Sequence, residues 1–280
     1  MSADPSPQAR SELVARLRAA GCVFAEDEAW LLIAAARTPA DLAAMADRRV
    51  AGLPLEQVIG WAEFCGLRIA VAPGVFVPRR RTEFLVERAV ALAGGAAKTA
   101  GTAGTARSGE RLVVVDLCCG TGAVAAALAA ALHPAQVHAS DVDPAAVACA
   151  RRNLAAVGGQ VYQGDLYAPL PAGLRGRVTL LAANVPYIPT EQIGLLPAEA
   201  RLHEPRVALD GGADGLDVLR RVAAAAPEWL APGGHLLTET SERQAPLAAG
   251  IMAGAGLAAD VVNSDELSAT IVTGTRPAQG

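Results

Sequence analysis

Residues 111–122 read Arg-Leu-Val-Val-Val-Asp-Leu-Cys-Cys-Gly-Thr-Gly, and the fold turns on how they are read. Four consecutive apolar residues, three of them β-branched, predict a strand covered on both faces. Asp116 breaks the run near its end, and Gly120-Thr121-Gly122 follows as a tight turn. The alanine-rich stretch 123–132 then predicts a helix. Strand, glycine turn and helix in that order are the opening unit of a doubly wound α/β sheet.

The same rhythm continues towards the C-terminus. Apolar strands are expected at 111–116, 136–141, 160–163, 178–183 and 234–240, with helices between most of them. Residues 259–262 and 269–272 supply two further strands at the sheet edge. Towards the N-terminus, residues 8–58 have helical spacing, with Leu13, Leu17, Ala20, Trp30, Leu31, Ile33 and Ala34 as the apolar positions. Residues 63–71 alternate as a strand and lead through Pro73-Gly74 to Val75-Phe76-Val77, which predicts a hairpin. An apolar helix is expected from Glu83 to about Leu92. Residues 94–109, GGAAKTAGTAGTARSG, are small and polar and read as a mobile loop. The chain thus divides into a helical part with its hairpin linker, 1–75, and an α/β part, 76–280.

Composition narrows the function. With 52% hydrophobic residues the chain can bury a sizeable core, and a net charge of −4 argues against a broad grip on nucleic acid phosphates. Five cysteines without a CxxC pair predict no disulfide framework, and four scattered histidines predict no metal site. The first residues lack the apolar core of a signal peptide, and no apolar run is long enough to span a bilayer. A cytoplasmic setting is expected.

The glycine turn marks a ligand site, because ligands bind beyond the carboxyl ends of such strands. Residues 120–125 also fit the GxGxxA form of a dinucleotide fingerprint. Asp116 discriminates: a carboxylate there repels a pyrophosphate and attracts the ammonium group of S-adenosylmethionine. Asp141 ends the next strand and can accept hydrogen bonds from ribose hydroxyls. Asp143, before Pro144, reads as a helix cap. Asp165, followed by Leu166, ends the strand after that and can read an adenine amino group. One aspartate alone would read as a cap or turn; three after three successive strands point to S-adenosylmethionine ahead of NAD. Asp116, Cys118, Cys119, Gly120, Thr121, Gly122, Asp141, Asp165, Leu166 and Asn184 are the expected cofactor contacts.

The fourth strand runs into Asn184-Val185-Pro186-Tyr187. Alone, this is an ordinary loop. At this sheet edge it suits methyl transfer to an amide or aromatic amino nitrogen, whose lone pair is delocalised and weakly nucleophilic. The side-chain oxygen of Asn184 can accept one N–H and the carbonyl of Val185 the other. Pro186 stiffens that carbonyl, and Tyr187 can stack on the planar group. Asn184 and Tyr187 are the candidate catalytic residues, and all four residues the candidate substrate site.

With these motifs assembled, the chain resembles the release factor glutamine methyltransferase family over nearly its whole length. Residues 54–60 followed by Ala62-Glu63-Phe64, Val77-Pro78-Arg79 through Thr82-Glu83, the 116–122 turn, Asp141, residues 164–166, Glu204 to Leu209, Gly211 to Asp217 and Pro232-Gly233-Gly234 carry the resemblance. It implies a Rossmann-like class I S-adenosylmethionine-dependent methyltransferase sheet with a small N-terminal helical domain for the protein substrate. It also implies transfer to the side-chain amide nitrogen of a glutamine, in a peptide chain release factor. Two departures stand out: Val185 replaces the first proline of the usual Asn-Pro-Pro-Tyr, and Cys118 stands where glycine is usual. They mark a divergent member.

Competing readings are a methyltransferase acting on the exocyclic amino group of adenine, a non-catalytic binding protein on the same fold, and an NAD-dependent oxidoreductase. The first wants a basic strip that the acidic balance does not supply. Arg79, Arg80 and Arg81 read equally as an anion clamp or a solvated helix start, with Arg79 and Glu83 favoured by the resemblance. Cys118 and Cys119 read as packing thiols, His203-Glu204 as a surface pair, and Trp30, Trp61 and Trp229 as core or interface residues.

Overall fold

The computed structural model of the chain describes residues 6–100 and 111–278. Four helices come first: α1 (Pro7–Ala19), α2 (Ala25–Ala35), α3 (Pro39–Val50) and the short α4 (Leu55–Ile59). Ser6 and Thr38 cap α1 and α3 by accepting from Ala9 N and Asp41 N, and a proline opens each helix. Leu13, Leu17, Ala29, Leu32, Ala46 and Val58 form the separate apolar cluster of this module.

A two-stranded hairpin follows, β1 (Trp61–Phe64) against β2 (Leu67–Ala70). Its turn is Cys65-Gly66, both at positive φ (49° and 71°), so the expected turn at Pro73-Gly74 is corrected. Two successive left-handed residues match the twist of a tight hairpin, and residues 75–77 form no strand. Phe64 and Ile69 join the main core rather than that of the helical module.

The helix α5 (Glu83–Ala100) then packs on the sheet. It carries residues 94–100, expected as loop, in helical conformation. The rest of that expected loop, 101–109, lies outside the described residues.

The α/β part runs β3 (Leu112–Leu117), α6 (Ala123–Ala131), β4 (Ala135–Asp141), α7 (Pro144–Leu154), β5 (Gln160–Gln163) and β6 (Val178–Ala183). After it come α8 (Ala198–His203), α9 (Asp217–Trp229), β7 (Leu230–Thr240), α10 (Ala245–Gly254), β8 (Ala258–Ser264) and β9 (Ala269–Thr275). The seven strands lie in the order β5-β4-β3-β6-β7-β9-β8. Pairing is parallel from β5 to β7, and β9 runs antiparallel to both neighbours.

Alternate residues of each inner strand feed opposite layers, as a pleated strand dictates. Val114, Val137, Leu180 and Ala182 pack on one face, under α5 and α6. Val113, Val115, Leu181 and Ala183 pack on the other with Leu219, Val222 and Trp229 of α9. The strand order reverses between β3 and β6, which opens a crevice beyond their carboxyl ends. Asp116 and Asn184 stand at that point. Trp229 is buried and stacked on Tyr167, but Trp30 is 62% exposed, which corrects its placement in a core or interface. Trp61 is half-buried beneath the Arg68 guanidinium.

Candidate active site

The crevice is a cleft with an inner volume of about 110 Å³. Its lining includes Asp116, Cys118, Cys119, Gly120, Thr121, Asp141, Asn184, Val185, Pro186 and Tyr187. The sequence places these residues on three separate strand ends, and the sheet brings them together.

Cys118 turns the chain out of β3 at φ +56°, a left-handed conformation that an L side chain strains to adopt and glycine takes freely. That geometry explains why glycine is usual there. Gly122 (φ +76°) closes the turn and starts α6. A Cβ on it would stand 3.1 Å from that of Ala150, so glycine lets α6 pack directly on α7. The thiols of Cys118 and Cys119 are pushed well above their ordinary pKa, mainly by burial, and behave as packing groups.

Asp116 is buried (2% exposed), and its Oδ2 accepts from Ala125 N at 3.1 Å. Burial, with a smaller push from the Asp141 charge, lifts its pKa to about 7, and no cation stands beside it among the described residues. Asp141 accepts from Gly120 N through Oδ2 and from Asp143 N through Oδ1, both at 2.9 Å. This carboxylate therefore shapes the glycine turn. Asp143 caps α7 by accepting from Ala145 N at 2.8 Å. A buried and a half-buried acid facing one cleft fit a cationic ligand carrying hydroxyl donors and would repel a pyrophosphate. S-adenosylmethionine meets that description: Asp116 would hold its ammonium group and Asp141 its ribose hydroxyls.

Asp165 and Leu166 do not line the cleft. Asp165 pairs instead with Arg221 of α9 at 2.5 Å, with both side chains 56% exposed. Leu166 packs into the apolar layer beneath, and its carbonyl accepts from the Ser140 hydroxyl.

Asn184 leaves β6 at the cleft floor, and the strand end is held where the Thr238 hydroxyl donates to the Ala183 carbonyl at 2.7 Å. Its Nδ2 donates to Thr82 Oγ1 at 3.3 Å. Thr82 Oγ1 donates in turn to Glu239 Oε2 at 2.6 Å. The other oxygen of Glu239 accepts from Arg81 Nε at 2.7 Å and from the Tyr187 hydroxyl at 3.2 Å, and Arg81 also reaches that hydroxyl. Burial and the Glu239 charge push the Tyr187 phenol well above its ordinary pKa, so it stays protonated at neutral pH. The Val185 side chain is buried in the layer shared with α9, where valine packs in place of the usual proline.

A close-packed loop holds the tetrapeptide from behind. A Cβ on Gly211 would stand 2.7 Å from the Pro186 carbonyl oxygen, and one on Gly215 would stand 2.3 Å from that of Tyr187. Gln244 Nε2 donates to the Tyr187 carbonyl at 2.9 Å and to that of Asp214 at 3.0 Å.

Thr82 and Glu239 stand in the site without any local signal in the sequence. Arg81 joins them from the run of three arginines that reads equally as an anion clamp or a solvated helix start, and no sequence pattern pairs a threonine with a glutamate 157 positions away. Glu83, favoured by the resemblance, accepts from Cys65 N at 2.8 Å at the hairpin turn. One expectation nearby is corrected, that of Glu204. Glu204 is no surface residue: its buried side chain takes Arg79 Nη2 at 2.6 Å and Val77 N at 3.3 Å. Burial raises its pKa against the pull of Arg79. Arg79 itself lines the cleft.

Residues 105–188 match the pattern of the methyltransferase small domain. A release factor glutamine methyltransferase of Geobacter sulfurreducens is 40% identical over 223 residues, 78% of this chain and 72% of the relative. The protein of the same description from Bradyrhizobium diazoefficiens is 34% identical over 90% of this chain and 88% of its own. A solved methyltransferase from Pyrococcus furiosus shares the fold, with a TM-score of 0.52 at 15% identity over 76% of this chain and 90% of that one. A doubly wound sheet with an acid-lined glycine cleft at its switch point, and these likenesses, define a class I S-adenosylmethionine-dependent methyltransferase. Within that class the chain belongs to the release factor glutamine methyltransferase family.

Proposed function

We propose that this chain methylates the side-chain amide nitrogen of a glutamine in a protein, and that the protein is a peptide chain release factor. The observation that carries the reading is the meeting of Asn184-Val185-Pro186-Tyr187 with Asp116 and Asp141 in one cleft. S-adenosylmethionine, when bound, supplies an electrophilic methyl group on a sulfonium.

The chain's own residues do the rest. Asn184 Oδ1 and the Val185 carbonyl take the two N–H bonds of the glutamine amide and aim its nitrogen. As the nitrogen acquires the methyl it gains positive charge, and both acceptors stabilise that charge more than they stabilise the neutral amide. The surplus proton then leaves to water, so no strong base is required. Tyr187, anchored through its hydroxyl, presents its ring to the planar amide. The Asn184 contact to the cofactor, and the parts of Cys118, Cys119, Gly120, Thr121 and Gly122 as its cradle, belong to the same proposal. So does the assignment of residues 1–75 as the face that receives the substrate protein.

The test is intact-mass analysis of release factors incubated with the protein and S-adenosylmethionine, followed by peptide mapping. One added methyl group on a single glutamine is expected. Methyl transfer to DNA or RNA with none to protein would overturn the reading.

A further inference from the structure

We propose that Thr82 and Glu239 are positioning residues that decide which end of the Asn184 amide faces the cleft. The inference rests on the reading of Asn184 as the acceptor for the glutamine amide. An asparagine side chain is nearly symmetrical in shape, and a half-turn exchanges its oxygen for its NH₂ group. With the NH₂ group in the cleft, donor would meet donor and the glutamine would be turned away. Something must therefore fix the rotation, and proton counting shows what does.

A threonine hydroxyl has one proton to give. Thr82 gives it to Glu239 at 2.6 Å, the short distance typical of a bond to a carboxylate. Its oxygen then has only lone pairs to offer Asn184. The Asn184 atom 3.3 Å away must be Nδ2, because an oxygen there would face an oxygen with no proton between them. Nδ2 is thereby committed away from substrate, and Oδ1 is left as the acceptor.

Glu239 cannot readily swing aside. Its second oxygen holds Arg81 Nε at 2.7 Å and the Tyr187 hydroxyl at 3.2 Å, and the residue is only 2% exposed. Thr82 is 3% exposed and directly precedes α5, where a threonine ordinarily caps the helix by accepting from its first amides. Here its hydroxyl donates to a side chain from the far end of β7. The start of α5, the end of β7 and the loop after β6 thus converge behind one amide.

The test is steady-state methyl transfer to a release factor by Thr82→Val and Thr82→Ser, with S-adenosylmethionine affinity and thermal midpoint measured on each. Thr82→Val keeps the shape and removes the hydroxyl. Its kcat is expected to fall about 10- to 100-fold, the range set by losing one such bond and leaving its partner unpaired. Its cofactor affinity is expected to stay within about twofold, since the residue carries no cofactor contact in this account. Thr82→Ser restores the donor and is expected to recover most of the rate. If Thr82→Val does not fold, Thr82→Ala carries the same expectation.

Wild-type kcat in Thr82→Val overturns the inference. So does a folded Thr82→Ser as slow as Thr82→Val, or a rate loss matched by an equal loss of cofactor affinity. Asn184→Ala separates this failure from failure of the acceptor reading. If Asn184→Ala is inactive while Thr82→Val runs at the wild-type rate, only the positioning role falls. If Asn184→Ala itself keeps full turnover, both fall.

Discussion

Cys118 holds a left-handed backbone at φ +56° in the turn that shapes the cofactor end of the cleft. Removing its thiol in two ways separates packing from backbone strain. Cys118→Gly and Cys118→Ala both lose the contacts of the sulfur, and glycine alone relieves the conformation, which costs a non-glycine residue about 1–2 kcal/mol. Chemical denaturation is expected to rank Cys118→Gly above Cys118→Ala by about 1 kcal/mol; the reverse order would mean that the turn is not strained. Asp116 gives a second expectation. Burial lifts its pKa from 3.8 to about 7, so between those values the folded chain keeps a proton that the unfolded chain has shed. Its contribution to stability therefore declines as the pH climbs through that window. A cationic partner favours the ionised form, so affinity for S-adenosylmethionine should strengthen as the pH rises towards 7 and level off above it. Calorimetry at pH 6 and pH 8 is expected to differ by about threefold to tenfold, and Asp116→Asn to flatten the profile. Equal affinities in the wild type would remove Asp116 from the ammonium site. The placement of Asp116, Asp141 and Asn184 is legible because each lies at or beside the end of a strand, and strand ends can be read from apolar runs. That of Thr82 and Glu239 is not, because their meaning comes from a contact across 157 positions that no local pattern records.

Between the glycine loop and the tetrapeptide, backbone meets backbone with no room for a side chain. Gly215 has φ +80°, and a Cβ there would stand 2.3 Å from the Tyr187 carbonyl oxygen and 2.4 Å from Gln244 Nε2. Gly215→Ala is expected to destabilise the fold by about 1–3 kcal/mol and to lower kcat by displacing Tyr187, measured by urea unfolding and methyl transfer. Gly173→Ala, where a Cβ meets nothing within 4 Å, serves as the neutral comparison. Unchanged stability in Gly215→Ala would show that the loop yields and does not hold the tetrapeptide. The inner strands β3 and β6 are legible nearly to their ends, since both faces are buried and the apolar runs are continuous, whereas β7 starts four residues before its expected bound, β9 runs three beyond its own and β8 is largely exposed. The hairpin was misplaced because Pro73-Gly74 is the stronger turn signal, whereas the real turn uses Cys65, an uncommon residue for φ +49°. Helix α5 outruns its expected end because alanines after Gly94-Gly95 favour helix, and small residues alone do not distinguish helix from loop.

Across the whole molecule, the helical module is tied to the catalytic part by polar side chains. Arg49 of α3 lies 2.6 Å from Glu28 of α2 and 3.1 Å from Glu199 of α8, and its side chain is only 10% exposed. Gln57 donates to the carbonyls of Val75 and His203 and accepts from Gly74 N. Arg49→Ala would leave Glu28 nearly buried without its cation, at a cost of about 3 kcal/mol, and would release α8 beside the Glu204 that holds Arg79. A single unfolding transition at lower denaturant is expected; wild-type stability would show that the module is not held this way. Sequence patterning shows a helical and an α/β part but not this seam, whose two cross-links, Arg49 to Glu199 and Gln57 to His203, each join residues more than a hundred positions apart. The proposed chemistry rests on one arrangement, an asparagine oxygen aimed at a donor beyond the sheet's switch point. The most direct measurement compares methyl transfer to a release factor by the wild type and by Asn184→Ala, with cofactor affinity determined on both. The account predicts a rate loss of about a hundredfold or more, far larger than any accompanying loss of cofactor affinity. Turnover by Asn184→Ala equal to the wild type would contradict it.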